Sequence, residues 1–332
     1  MEFSMTELAV SFAGGVFGAA IGALPVWILC GLAVLIGATL NYTIDNASFM
    51  NFIAWGSFLG PHTSFAGGTA AAAYAAKKGL LDNGRDICTA LVGLNNPKVL
   101  LIGGLFGMSG YFLLWCIMQV PNYSPLAWTN HIALAVILNM FIIRLLFGKT
   151  GIFGKVTKGE NRWIQTPKSC WLPYQSDPSQ LILLGLGIGI PAAYFTNLFP
   201  NSQGIVFGFA TLLLIFMQFG FKVPVTHHIA LSSSMLTAAT GEMAWGVSFG
   251  LLAAFLGELS ACLFVNHGDT HIDPPTMALV GTFTLYPLLE LTGIFQWASP
   301  LLWGMPFAVA GMGYLLLHSM RRPTSATYLN TI

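Results

Sequence analysis

The chain alternates long apolar runs with short polar breaks. Eleven runs come close to the roughly 20 residues that a membrane-spanning helix needs. They are 8–24, 25–42, 61–76, 99–119, 127–148, 180–198, 203–221, 224–241, 243–265, 275–294 and 299–319. A twelfth apolar stretch, 47–60, is too short to cross alone. It fits a re-entrant or interfacial segment, or a true second span if 8–42 forms one tilted helix. The pattern predicts an all-α polytopic membrane protein of about eleven transmembrane helices. The only long polar stretch, 149–179, separates five runs from six.

Composition agrees with this pattern. Hydrophobic residues make up 55% of the 332 residues and charged residues 8%, against about 25% charged in an ordinary soluble domain. That excludes a soluble globular enzyme, a disordered chain and a nucleic-acid binder, and makes a lipid bilayer the first expected partner. The first apolar run shows no clear cleavage site and is expected to remain as a span. Five scattered cysteines (Cys30, Cys88, Cys116, Cys170, Cys262) form no C-x-x-C pair and read as core filler.

The basic residues orient the chain. Lys77, Lys78, Arg85 and Lys98 fall around one loop, and Arg144 to Lys168 around the next long one. Lys222 follows span seven, and Arg321 and Arg322 follow span eleven. With eleven spans, all 13 Lys and Arg lie on one side. The positive-inside rule then predicts the plasma (inner) membrane, with the N-terminus outside and the C-terminus in the cytoplasm.

The two sides of 149–179 look alike. Gly14, Gly18 and Gly22 stripe span one, as Gly185 and Gly189 stripe span six. Span three opens Pro61-His62-Thr63 and span eight opens Pro224-Val225-Thr226. Five spans is an odd number, so the second half is expected upside down, an inverted repeat of the kind transporters and channels use. The expected units are 1–148, a cytoplasmic linker 149–179, 180–294, and an extra helix with its tail, 295–332.

This plan resembles that of ammonium transporters and urea channels. Ammonium transporters carry one His on span five and one on span ten; here His131 opens span five and His271 precedes span ten. The phrases GPHTSFAGGTAAAAYAAKKG, PVTHHIAL and HGDTHIDPP resemble those of uncharacterised bacterial permease-like membrane proteins. The likeness of these phrases supplies no function; it is the inverted repeat that implies a solute site near the midplane where the halves meet.

The candidate pathway residues sit at the openings of spans three, five and eight. They are His62, Thr63, Ser64, Gly67, Gly68, Thr69, His131, Thr226, His227, His228, Ser232 and Ser233. Broken helices expose free backbone groups that bind ions or polar solutes; a Pro-defined, capped helix start is the plainer account. Glu258 is the one carboxylate deep inside a span, where a lone charge costs about 2.5–3.5 kcal/mol on insertion scales. It is expected to pair with a group such as His227 or His228 and to sit near a polar cavity shared by the starts of spans three and eight. His267, Asp269, His271 and Asp273 alternate through one segment. In an extended strand they would point one way, fit to bind a divalent cation or relay protons. The following prolines predict a helix from Thr276. No other cofactor is expected.

The expected function is a secondary transporter or channel for a small solute or ion, coupled to protons or cations and assembled as a homo-oligomer. The alternatives are an intramembrane metal-binding enzyme and a membrane subunit of a larger complex.

Overall fold

The computed structural model describes residues 2–121, 127–164, 171–199, 201–296 and 300–321. Among these the chain is helical, with no β-strand. The α-helices are α1 (Met5–Ile21), α2 (Ala23–Ile44), α3 (Ser64–Lys77), α4 (Pro97–Ile117), α5 (His131–Phe147), α6 (Pro178–Leu198), α7 (Ile205–Leu212), α8 (His227–Thr240), α9 (Met243–Ser260), α10 (Pro274–Glu290) and α11 (Gly304–Arg321). Among the described residues, five helices are long and apolar enough to cross a membrane: Ala23–Ile44, Pro97–Ile117, Pro178–Leu198, Met243–Val265 and Leu301–Arg321. Met5–Ile21, His131–Phe147 and Ile205–Phe219 are shorter apolar helices.

Local chemistry sets the helix ends. Ser4, Asn96, Asn130, Asp177 and Asp273 each accept a hydrogen bond from a backbone N–H of the first helical turn, satisfying a donor that the helix leaves free. Pro97, Pro178 and Pro274 occupy the first helical position, where a missing N–H costs nothing. Helix α10 therefore starts at Pro274, two residues before the Thr276 that the prolines suggested. The break between α1 and α2 falls at Gly22, whose φ of 99° favours glycine. The stretch 47–60 forms a π-helical turn at Met50–Ala54, then bends back into α3.

The halves pair their helices in one order. In the first, α1 packs on α3 and α4, α3 on α4, and α4 on α5; in the second, α6 packs on α8 and α9, α8 on α9, and α9 on α10. Across the halves α2 packs on α7 and α5 on α10, while α11 lies against α9 and α6. The first half closes on backbone: a Cβ on Gly15 would overlap the Gly103 carbonyl, one on Gly18 the Ser64 carbonyl, and one on Gly110 the His62 carbonyl. Small residues permit that approach where the hydrophobic effect gives helices little reason to associate.

The connections sort to two ends. At one, Gly84 bridges Thr270, the Lys155 N–H donates to His267, the Val225 N–H to Gln175, and Arg321 to Trp163 and Ser176. Lys77, Arg85, Arg144 and Arg162 also bond within these connections or the helix ends beside them; we call this the basic end. At the other, neutral end, Asn41 donates to Asn201 and the His131 ring meets the Met118 sulfur. Lys168, Cys170 and Arg322 lie outside the described residues.

Candidate functional site

Two of the cavities between the halves share a wall residue. The neutral-end cavity, about 170 Å3, is lined by Trp55, Pro61, Asn130, Ile132 and Phe283 among others. The basic-end cavity, about 200 Å3, is lined by Arg85, Cys88, Trp171, His227 and Asp273 among others. Each has room for several waters or a small organic molecule. Trp27 of α2 belongs to the walls of both.

Trp27 sits in a cluster of rings. Its indole lies 5.4 Å from the His227 ring, 5.7 Å from Phe207 and 6.0 Å from Phe65, centroid to centroid. Phe65, Phe207 and His227 are buried. The first turns of α3 and α8 thus meet through this indole, and Phe65 and His227 bring both into the wall of the basic-end cavity. Sequence reasoning missed Trp27, which reads as one apolar residue among many in span two.

Asp273, with Arg85 and Asp86, gives the basic-end cavity its carboxylate and guanidinium lining, and His271, which does not line it, bonds Asp273. His271 Nε2 lies 3.1 Å from Asp273 Oδ1, while Asp273 Oδ2 accepts from the N–H and hydroxyl of Thr276. The Nδ1 atoms of His227 and His228 are buried and lack a hydrogen-bond partner among the described residues.

Several expected pathway residues hold the helices together instead. His62 is buried beneath Gly60 and Gly110 and, like Thr63 and Ser64, lines neither cavity; Thr63 and Ser64 donate to the Gly60 carbonyl. Gly67 faces α1 and α4, Gly68 faces α1 and α2, and Thr69 donates to Ala66 within its own helix. Ser232 bonds Thr282 and Ser233 donates to the Gly189 carbonyl. Thr226 is buried at the α8 start, and His131 contacts Met118 and Trp128. Glu258 pairs with Arg321 at 2.5 Å rather than with His227 or His228, although His228 borders the same small cleft. Of the cysteines, Cys30 and Cys262 are buried, but Cys88 and Cys116 are exposed.

The four alternating residues do not share a face. Asp269 accepts from the Lys149 N–H and the Thr150 hydroxyl and lies 3.8 Å from Arg144, whereas His271 turns to Asp273. No three His, Cys, Asp or Glu side chains converge among the described residues.

Three arginines complete the basic end. Arg85 donates to the carbonyls of Val265 and Asn266, Arg144 to Phe264 and Thr270, and Arg162 to Cys262 and Leu263. All but the Thr270 carbonyl lie at the end of α9, where the helix widens into a π-helical turn, Ala261–Val265, and its last C=O groups need outside donors. Burial pulls the Arg85 guanidinium below its ordinary value, opposed by Asp269. Burial, then the Arg162 charge, holds His267 below its ordinary value.

Among the described residues the fold is all-helical, with five helices long and apolar enough to span a bilayer. The chain belongs to a family of unknown function, DUF7973, whose model matches residues 1–165 and 154–303. No curated protein and no solved structure matches it.

Proposed function

We propose that this protein is a multi-pass transporter of the plasma membrane, carrying a small solute between two cavities that Trp27 separates. The observation that carries this reading is the place of Trp27 in both walls. A bulky side chain bordering two water-sized spaces is what a gate requires, and in this reading movement of the Trp27 ring joins them.

Three further features support it. The connections gathered at one end carry the basic residues, as the cytoplasmic face of a membrane protein does. The halves pair their helices in the same order around an odd number of helices, as an inverted repeat would. The family model meets the chain in two stretches that part near the middle loop. Both cavities are walled mainly by aromatic and aliphatic side chains with few polar groups, which suits a small organic solute with an apolar body.

Purified protein in liposomes, assayed for uptake of a panel of small radiolabelled organic solutes, tests this. Uptake above empty liposomes is expected for at least one small, partly apolar solute. Equal uptake with and without protein across the panel would remove the reading.

A further inference from the structure

The two cavities are built from corresponding helix starts but differ in charge. Asn130 caps α5 beside the neutral-end cavity, accepting from the Ala133 N–H at 2.9 Å. Asp273 caps α10 beside the basic-end cavity, accepting from the Thr276 N–H at 2.9 Å. The first residue of α3 is Ser64 and that of α8 is His227. Asn and Asp cap a helix about equally well, so the cap does not require the Asp273 charge. A carboxylate taken out of water costs energy that an amide would avoid. Something other than helix capping has to account for it.

Its surroundings offer a reason. Asp273 bonds His271, and both are buried. His227 shares the cavity wall with Asp273 and has a buried, partnerless Nδ1. His228 follows at 5.7 Å, ring to ring, also with a partnerless Nδ1. The other ionisable groups facing this space are Arg85, Asp86 and Cys88 at its mouth. Trp27, Phe65, Trp171, Leu172, Leu214 and Met217 complete the wall from the remaining elements and carry no charge.

We propose that His227, His271 and Asp273 form a proton-carrying site of the transporter, loaded from the basic-end cavity. A proton from water there adds to an imidazole lone pair or to the carboxylate, and leaves the same way or past Trp27 when that ring moves. The neutral-end cavity has no equivalent, so the two mouths would differ in proton affinity. This inference rests on the transport reading.

The Trp27–His227 contact supplies a probe that needs no identified solute, because a charged imidazolium quenches an adjoining indole more than a neutral imidazole does. Intrinsic fluorescence of the full-length protein in lipid nanodiscs would be titrated from about pH 3 to about pH 9, covering the range of histidine and the acid side of it. The Trp27→Phe protein, subtracted, isolates the Trp27 signal. The expected result is one protonation step, lost in His227→Gln. In Asp273→Asn, which keeps the cap, its midpoint should differ from that of the parent protein, because a carboxylate facing the same cavity has been removed. Melting curves identify variants that fold. No Trp27-dependent step, or a step that survives in folded His227→Gln, overturns the proton site. Liposome flux separates the two claims. Flux indifferent to a pH gradient overturns the proton site and leaves the transporter; a Trp27 step in protein that moves no solute overturns the transporter.

Discussion

The ring of Trp27 meets the ring of His227 edge to face, with centroids 5.4 Å apart. The indole comes from α2 and the imidazole from the first residue of α8, so one contact joins the halves of the molecule. Phe65 and Phe207 press on the same indole. Cutting Trp27 back should therefore merge the cavities. Trp27→Ala is expected to raise passive solute leak in liposomes about tenfold or more, and Trp27→Phe much less. Its stability cost should fall below the roughly 3–5 kcal/mol of a fully buried Trp→Ala, because Trp27 is only half-buried. Unaltered flux in Trp27→Ala would mean that the indole is not a barrier.

The glycine seam makes a sharper stability prediction. A Cβ at residue 110 would overlap the His62 carbonyl, whereas Gly187 faces open space. Gly110→Ala should cost about 1–3 kcal/mol, as overpacking does. Gly187→Ala should be neutral or gain up to about 1 kcal/mol from helix propensity. Thermal melting in detergent distinguishes them, and equal melting temperatures would contradict the packing described.

Arg144 is fully buried and donates to Thr270, Phe264, Gly151 and Ile152. Arg144→Met keeps much of the volume and strands these acceptors, each worth about 1–3 kcal/mol when left unsatisfied. The variant is expected to lose most of its folded yield, measured by monodisperse recovery. Arg144→Lys should recover little, since one ammonium cannot reach carbonyls spread around a planar fork.

The depressed His267 predicts acid sensitivity at the basic end. Burial, with the Arg162 charge second, disfavours its protonated form. The unfolded chain then binds the extra proton first, so the contribution is complete above the ordinary value of 6.5 and is lost as pH falls below it. Melting temperature should drop on acidification below about 6.5, less steeply in His267→Gln. The same slope in both proteins would assign the effect to other groups.

How much of this was legible beforehand depended on range. The helix order follows from apolar runs, and the gathering of basic residues at one end from counting loops. What failed were partners distant in sequence. Glu258 suggested a site inside the bundle, yet Arg321, 63 residues on, takes it as an ion partner. Gly67, Gly68 and Ser233 looked like pathway residues because small and polar residues also build tight helix seams. The alternation from His267 to Asp273 assumed an extended strand, but Lys149, Thr150 and Arg144 draw Asp269 away from the others. Trp27 carried no signal at all, since only the meeting of α2, α3, α7 and α8 makes it a wall.

The central claim is that the cavities open to opposite sides of a membrane with Trp27 between them. Cys88 already lines the basic-end cavity and Ile132 the neutral-end one. Two proteins decide the matter in intact cells and inverted vesicles: one keeping Cys88 as its sole cysteine, the other cysteine-free except for Ile132→Cys. A membrane-impermeant maleimide should label residue 132 only from outside the cell and Cys88 only from the cytoplasmic side. Labelling of both from the same side would contradict the account.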